Sequence, residues 1–335
     1  MKKAIGKGKK RCYSRGKKGG IRLILKPFEE TKMVYGLRAL VQRLEKNHSH
    51  YNKIIQDLQQ LEAGDLGEKR IMEQLQKMAS SNEIYILHNI TFTTPMPIQL
   101  DIVVITPYDV IIIESKNIRG RIDLKCRPRR MVRTLENGDK HIFNHPEIQL
   151  EEYVLGLDTF FKQQQLEIGV TGVIVFPFNN ADIHYEDGKF PVLMMRELIY
   201  FLRQHILNKQ SQREIMSVEI ANLLLTHHHE YRYPPLCTYY KIDPQAILRG
   251  IYCRHCSQSK LIRLKKNWFC PLCKTYDKVA HHQALNDYRL LIGNQINTEA
   301  ARHFLEISNR HIAKRILQDY CKKKEGHNNQ MMYQL

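Results

Sequence analysis

The sequence predicts an α/β fold: a mixed sheet flanked by helices, followed by a small cysteine-centred unit and a helical C-terminal unit. Three observations predict it. Helical and extended patterns follow in the order α-β-β-β-α-β over residues 66–207, four cysteines cluster at 253–273, and helical spacing returns after residue 284. The 335 residues favour two or three compact units, and the 43% apolar content is enough for a sizeable core.

The first elements are expected to be helical. Residues 1–20 are rich in lysine and glycine and are expected to be disordered, whereas residues 33–62 carry apolar side chains at helical spacing. Residues 47–50 are expected to break this region into two short helices, and residues 63–65 to end the second. A new helix is then expected to open at Gly67 and Glu68 and to run through Met78.

The central region alternates between extended and helical patterns. The turn at residues 106–109 predicts a hairpin between two strands that are dense in isoleucine and valine. Pro146 can begin a helix at its first turn. The predicted strands are 84–93, 99–106, 109–116, 121–125, 131–135, 170–176 and 191–195, and the predicted helices are 146–165, 196–207 and 210–226. Residues 227–235 read as a linker, and its three adjacent histidines as a solvated helix end rather than a metal site.

The positive charge is concentrated at the two ends of the chain. The formal net charge is +18; residues 1–26 hold eleven Lys or Arg and no acidic residue, and residues 248–335 sum to +10. Residues 27–247 sum to −3. Phosphate contacts release counterions, so basic ends favour a nucleic-acid partner, DNA first and RNA second. Solubility charge and a ribosome-facing or membrane-facing tail are the alternatives.

The cysteine pattern and hydropathy predict a cytoplasmic protein. Eight cysteines occur, four of them in two CxxC pairs, which is unlike a secreted disulfide scaffold. No apolar run is long enough for a membrane helix, and the run at residues 21–25 is too short for the core of a signal peptide. We therefore expect a reducing compartment and no membrane association.

Asp101, Glu114 and Lys116 form a candidate catalytic constellation. Glu114 and Lys116 are two residues apart at the end of a strand, so they point to the same face. Two carboxylates can hold Mg²⁺, which polarises a phosphate and lowers the pKa of a bound water, while a lysine orients the water or stabilises negative charge. A salt bridge at a strand end is the alternative.

The order and spacing of several motifs resemble the nuclease-related domain (NERD) family, a branch of the PD-(D/E)XK superfamily, from about residue 64 to about residue 200. The resemblance implies a restriction-endonuclease-like fold. The residues that carry it are Gly67-Glu68-Lys69, Gln99 to Val104, Val110 to Asn117, Gly120, and Asn144 to Gln149.

The resemblance also assigns roles. It implies that Glu68, Asp101 and Glu114 are the acidic metal-site positions and that Lys116 is the catalytic lysine. Gln149, with Tyr153 one helical turn on, is similar to a Gln-x-x-x-Tyr element of related nucleases. Ser115 replaces the usual aliphatic residue and is expected to point away from the site.

The accessory residues also have structural alternatives. Glu68 near a helix start would favour the helix dipole without any catalytic role. Gln149 and Tyr153 could form a surface pair one helical turn apart, and Tyr153 is expected to serve in packing.

Cys253, Cys256, Cys270 and Cys273 predict a zinc ribbon. Two CxxC pairs separated by thirteen residues can supply four thiolates to one tetrahedral, structural Zn²⁺. A redox CxxC is the alternative. Basic residues around Trp268 and Phe269 suit backbone contact and base stacking, although a core role is expected for Trp268. Short strands are predicted at 261–264 and 267–269.

The C-terminal segment is predicted to be helical. Helices are expected at 284–294, 298–307 and 311–317, with Thr298 and Ser308 as N-caps. The last two helices fit either a helix-turn-helix or a plain helical hairpin. The tail from Lys322 is expected to be disordered.

Two functions follow. The first is a Mg²⁺-dependent nuclease acting on DNA, whose zinc ribbon and basic C-terminus bind nucleic acid. The second is a non-catalytic nucleic-acid-binding protein on a nuclease-like scaffold. The expected units are a basic tail with helices (1–62), the nuclease-related domain (63–208), a helix and linker (209–247), the ribbon (248–280) and a helical unit (281–325).

Overall fold

A computed structural model describes residues 24–78, 84–93, 97–185, 188–326 and 331–335. The expectation of disorder over residues 1–20 lies outside these ranges. The first described elements are β1 (Ile24–Lys26), α1 (Lys32–Arg43) and α2 (Tyr51–Met78). The break at residues 47–50 is confirmed, because these residues lie between the two helices.

The expected helix end at residues 63–65 is wrong. α2 runs without interruption for 28 residues, so Gly67 and Glu68 lie inside it rather than at a helix start. Its buried residues Ile71, Met72 and Leu75 pack in a core beneath the main sheet. This tertiary packing outweighs the cost of two glycines, about 1 kcal/mol each in a helix interior.

The central region contains two sheets and the helices that cover them. Its elements in chain order are β2 (Tyr85–Thr93), β3 (Pro97–Ile105), β4 (Asp109–Ser115), β5 (Gly120–Cys126), β6 (Arg129–Thr134), β7 (Lys140–Asn144), α3 (Pro146–Gln163), β8 (Gly169–Phe176), β9 (Ala181–Tyr185), β10 (Val192–Met194), α4 (Met195–Asn208) and α5 (Ser217–His227).

The main sheet is mixed, as predicted. Its strand order is β1-β2-β3-β4-β8-β10; β2, β3 and β4 are antiparallel, whereas β1, β8 and β10 pair in parallel with their neighbours. The predicted hairpin turn is present, because Thr106 Oγ1 accepts hydrogen bonds from the amides of Tyr108 and Asp109. A second sheet has the order β7-β6-β5-β9.

The main sheet is buried on both faces around β4. Ile111 and Ile113 pack on one face with residues of α2 and α4, and Val110 and Ile112 pack on the other with residues of α3 and α5. A strand buried on both faces reads as a continuous apolar run. Because both faces are buried, the carboxylate of Glu114 near the end of β4 lies next to an apolar core.

The C-terminal region is built from short strands and helices. They are α6 (Leu236–Tyr240), β11 (Ile262–Leu264), β12 (Asn267–Phe269), β13 (Tyr276–Asp277), α7 (Ala280–Leu291), β14 (Gln295–Asn297), α8 (Thr298–Phe304), α9 (Arg310–Tyr320), β15 (Lys323–Glu325) and β16 (Met332–Gln334). β11, β12 and β13 form one antiparallel sheet, and β14, β16 and β15 form another.

Two expectations about this region are wrong. The tail from Lys322 is ordered in β15 and β16, where Tyr333 is buried opposite Ile296. The helix caps are Asn297 for α8 and Asn309 for α9, each one residue away from the expected Thr298 and Ser308. The interpretation of α8 and α9 as a helix-turn-helix stays a prediction.

The N-terminal helices share a core with the C-terminal region. Leu37 and Leu40 of α1 and Ile54 of α2 pack in one cluster with Trp268 and Leu285. Within the described ranges, no helix has both the length and the apolar character that a bilayer span requires.

Candidate functional site

Three elements bring the predicted acidic residues to one end of the main sheet. Asp101 lies on β3 and Glu114 on β4, one step beyond the paired residues Ile102 and Ile113. Glu68 projects from α2 and interacts electrostatically with Asp101, Glu114 and Lys116. The backbone amide of Ser115 donates to Asp101 Oδ2 at 3.1 Å, which fixes this carboxylate beside the end of β4.

Lys116 links β4 to α3. Its Nζ donates to Glu114 Oε1 at 2.5 Å and to Gln149 Oε1 at 3.1 Å. Gln149 Nε2 in turn donates to the hydroxyl of Tyr153 at 2.7 Å. The ammonium is therefore held between a carboxylate and an amide, and Tyr153 sets the orientation of that amide. Tyr153 also packs against the adjacent core.

Burial raises the pKa of all three acidic groups, and repulsion by neighbouring carboxylates adds to it for Glu68 and Asp101. Burial and then Asp65 and Glu114 raise the pKa of Glu68 to about 8, and burial, Glu114 and Glu68 raise that of Asp101 well above its usual range. Burial raises the pKa of Glu114, although Lys116 opposes this. Burial would lower the pKa of Lys116, but the Glu114 carboxylate outweighs it and raises it.

The three carboxylates offer the oxygen donors of a hard divalent cation site, although they do not bring one oxygen each within 4.8 Å of one another. Glu114 is buried, and its Oε2 has no hydrogen-bond partner among the described residues. An unpaired buried carboxylate oxygen costs free energy unless a cation or donor satisfies it. Glu68, Asp101 and Glu114 offer carboxylate oxygens, which are the ligands that Mg²⁺ prefers.

A glycine lets α2 approach this end of the sheet. A Cβ atom on Gly67 would lie 3.1 Å from Asn117 Cβ, Pro177 Cγ and Ser115 Oγ, closer than ordinary van der Waals contact. Asn117 Nδ2 donates to the Ala63 carbonyl at 2.7 Å and ties the helix to the chain just beyond β4. Together these contacts set the position of the neighbouring Glu68.

His88 is a site residue that the sequence did not suggest. It is buried on β2, and its Nε2 lies 2.8 Å from Glu68 Oε2. The amide of Glu29 donates to Nδ1, so Nε2 carries the proton and donates to Glu68. Burial and then Lys26 lower the pKa of His88 to about 4, so the ring is neutral at pH 7. Its sequence signal is a histidine that directly follows the apolar residues Ile86 and Leu87 within the strand.

A second group of possible ligand atoms, from Cys126, His145 and Glu147, has a structural role. Glu147 Oε1 accepts from the Tyr185 hydroxyl and from the amides of Lys189 and Phe190. His145 Nδ1 accepts from the Glu147 amide at the start of α3, which leaves the ring proton on Nε2. The three ligand atoms lie within 4.8 Å of one another, but the carboxylate is already used to anchor the loop at residues 189–190.

The four predicted zinc ligands converge. The Sγ atoms of Cys253, Cys256, Cys270 and Cys273 lie within 4.8 Å of one another, with the Cys253–Cys273 pair at 3.6 Å and the Cys256–Cys270 pair at 3.7 Å. Burial would raise the pKa of Cys270, but amide donors, with the amide of Cys273 first, lower it to about 6. This geometry suits a closed, structural zinc site. His255 lies between two of the ligands and is exposed.

Trp268 belongs to the core, as expected. It is buried on β12, and its Nε1 donates to Nδ1 of His281 on α7 at 3.0 Å. The hydrogen bond and the shared core join the cysteine-centred unit to the helices that follow it.

One of three comparisons with known proteins found a match, and it lies on the region that holds these residues. Neither the curated proteins nor the solved structures gave a significant match. The family model described as "Nuclease-related domain" (NERD) matches residues 63–177. The matched range contains Glu68, Asp101, Glu114, Lys116 and Gln149, and it covers the second half of α2 through β8. Residues 63–177 of this chain are therefore a nuclease-related domain.

Proposed function

We propose that the nuclease-related domain is a divalent-metal-dependent nuclease that hydrolyses phosphodiester bonds in DNA. The observation that carries the proposal is that Glu68, Asp101 and Glu114, from three elements, all interact electrostatically with the ammonium of Lys116, which donates a hydrogen bond to Glu114. Three carboxylates around a lysine at a sheet end are costly to maintain for stability alone. The buried, unpartnered Oε2 of Glu114 supports a cation site in particular.

Glu68, Asp101 and Glu114 would hold the cation. A bound Mg²⁺ would polarise the scissile phosphate and lower the pKa of a water molecule. His88 donates a hydrogen bond to Glu68 Oε2 and so fixes the orientation of that carboxylate. The amide of Ser115 does the same for Asp101. These two donors therefore preorganise two of the three carboxylates before any substrate binds.

Lys116 supplies the positive charge next to the carboxylates. Its hydrogen bonds to Glu114 and Gln149 fix Nζ in a position from which it can donate to a water or to a phosphate oxygen. A preorganised donor stabilises negative charge that develops in the transition state without the cost of reorganising solvent. Gln149 and Tyr153 act as positioning residues because they act through Lys116.

DNA is the substrate that we propose, with nucleic-acid binding assisted by the basic C-terminal region. Residues 248–335 sum to +10, whereas residues 27–247 sum to −3. A centre with no net positive charge holds a polyanion weakly by itself, so a separate basic surface is expected to provide affinity.

A cleavage assay tests the proposal. Supercoiled plasmid, single-stranded DNA and single-stranded RNA are incubated with the full chain and increasing Mg²⁺ or Mn²⁺. We expect metal-dependent cleavage of DNA and a loss of about a hundredfold or more in Glu114→Gln. Glu73→Gln is the matched control, because Glu73 is an exposed carboxylate on α2 and should be dispensable. Binding without cleavage under every condition would favour the non-catalytic alternative, and an active Glu114→Gln would disprove the site.

A further inference from the structure

The three-stranded sheet of the zinc-binding unit has two different faces. Strand pairing places Arg263, Trp268 and Asp277 on one face, which we call the inner face. The alternate residues form the outer face: Ile262, Leu264, Asn267, Phe269 and Tyr276. The inner face is used for folding, because Trp268 is buried and bonded to His281.

The outer face exposes apolar and aromatic side chains to solvent. Tyr276 is 63% exposed, and Ile262, Leu264 and the nearby Leu272 are exposed as well. The rings of Phe269 and Tyr276 form a pair with centroids 4.9 Å apart and planes inclined by 41°. A unit this small does not need these side chains for its core, because four thiolates and the inner face supply its stability. Clustered exposed apolar groups of this kind mark binding surfaces.

Lysines surround this outer face. Lys265 and Lys266 form the turn between β11 and β12, and Lys274 lies two residues before the start of β13; all three are exposed. The Nζ atom of Lys274 lies 6.0 Å from the Phe269 ring centroid. Asp277 is the one acidic residue in the sequence of 248–279; it belongs to the inner face and is paired with Arg254. The outer face therefore combines aromatic rings with uncompensated positive charge.

We propose that this outer face binds single-stranded nucleic acid. Bases stack on the Phe269 and Tyr276 rings, and Lys265, Lys266 and Lys274 contact the phosphates. A duplex is a poorer ligand because its base faces are already covered by neighbouring bases. The inference rests on the proposed function, since it names the form of nucleic acid that the proposed nuclease would bind.

The test is equilibrium binding of the full chain to a labelled oligonucleotide of about sixteen nucleotides, without added magnesium and without chelator. Oligothymidylate, oligouridylate and a DNA duplex of equal length are compared. Tyr276→Ala should weaken binding to the single strand by about five- to a hundredfold, and Tyr276→Phe, which keeps the ring, should bind like the wild type. The thymidylate and uridylate arms show whether DNA or RNA is preferred.

Two controls keep the result interpretable. Tyr200→Ala removes a tyrosine of similar exposure, 68%, from α4 and should not change binding. Replacing all three lysines by glutamine leaves the sheet intact and should reduce the salt dependence of single-strand binding by a slope of about 2. Zinc content and thermal melting confirm that each variant is folded.

Unchanged binding by Tyr276→Ala, or an equal loss in Tyr276→Phe, would overturn the inference, as would a preference for duplex over single strand. These outcomes are independent of the proposed cleavage chemistry, because the readout needs neither magnesium nor turnover. If Glu114→Gln cleaved DNA as fast as the wild type, the proposed function would be overturned. The binding result would still stand.

Discussion

Gly67 and Ser115 are in contact across the junction of α2 and β4: a Cβ on the glycine would lie 3.1 Å from the serine hydroxyl oxygen. The contact has no polar function, because Ser115 Oγ has no hydrogen-bond partner among the described residues. It shows instead how closely the helix that carries Glu68 approaches the strand that carries Glu114.

This contact distinguishes two glycines of the same helix. Gly67→Ala should shift α2 by a few tenths of an ångström and lower the rate of DNA cleavage, because Glu68 moves with the helix. Gly64→Ala is the control: a Cβ at this position would meet no neighbouring atom within 4 Å, so the substitution should raise the free energy of unfolding by about 0.5–1 kcal/mol. Cleavage rates and denaturation curves measure both. Equal stabilisation by the two substitutions would contradict the close approach.

The role of Lys116 can be separated from that of the carboxylates. Lys116→Ala should reduce the cleavage rate by about a hundred- to a thousandfold, because it removes the donor held by Glu114 and Gln149. It should preserve Mn²⁺ binding measured by calorimetry, since all three carboxylates remain. Asp101→Ala and Glu114→Ala should weaken both cleavage and metal binding. Wild-type cleavage by Lys116→Ala would show that the lysine has no part in the reaction.

Removal of zinc should be visible through the single tryptophan. Cys270→Ser, or treatment with a zinc chelator, should shift the emission of Trp268 to longer wavelength, because the buried indole lies on the strand that ends next to Cys270. Cys321→Ser, outside the cluster, should retain one zinc per chain. Folded wild-type protein without zinc would refute the assignment of the four cysteines.

His281 should make the stability of the C-terminal core sensitive to acid. Burial and then His282 and Arg263 lower its pKa to about 4, and Asp277 and Asp319 oppose this shift. The unfolded value is about 6.5, so the unfolded chain binds the proton first as the pH falls. The contribution of His281 to the free energy of unfolding is fully present above about pH 6.5. It is lost as the pH falls from about 6.5 to about 4, and the loss amounts to up to about 3 kcal/mol.

His281→Gln measures this contribution. Glutamine can accept the hydrogen bond of Trp268 but does not titrate. The free energy of unfolding of the variant should therefore fall less between these pH values than that of the wild type. Both proteins retain the same four cysteines, so acid release of zinc affects them equally. Identical pH profiles would rule out His281 as the acid-sensitive group.

A buried ion pair joins the N-terminal helix to the C-terminal region. Arg43 Nε donates to Asp287 Oδ2 at 2.8 Å, and its Nη1 donates to the carbonyls of Leu248 and Gly250. Arg43→Ala should lower the free energy of unfolding by about 3–5 kcal/mol, because Asp287 is left charged in the core. Arg38→Ala on the same helix breaks more exposed pairs and should cost about 1 kcal/mol or less. Similar losses in urea denaturation would contradict this division.

The sequence predicted β2, β3, β4, β8 and β10 of the main sheet, and the acidic residues on β3 and β4, because both depend on local patterns. Isoleucine and valine runs mark β3 and β4, and the two-residue spacing of Glu114 and Lys116 follows from the strand period. The grouping of the four cysteines could be predicted in the same way, because the spacing within each CxxC pair is a local property of the sequence.

The elements that escaped prediction depend on partners far away in the chain. β7 is exposed along its whole length, so only its pairing with β6 identifies it as a strand. β16 is held by β14, and α2 continues through two glycines because of the core on which it packs. His88 was missed for the same reason: its neighbour Glu68 is twenty residues away in sequence and meets it only in the fold.

The uninterrupted course of α2 has a mechanical consequence. Its first half contributes Ile54 to the core shared with the C-terminal region, and its second half contributes Ile71 and Leu75 to the core beneath the main sheet. The helix is roughly 42 Å long and turns by roughly 100° per residue. A single inserted residue between the two halves would rotate one core against the other by that angle. The number of residues in α2 therefore fixes the rotation of the two cores relative to each other about the helix axis. Glu68 lies on the helix that connects them.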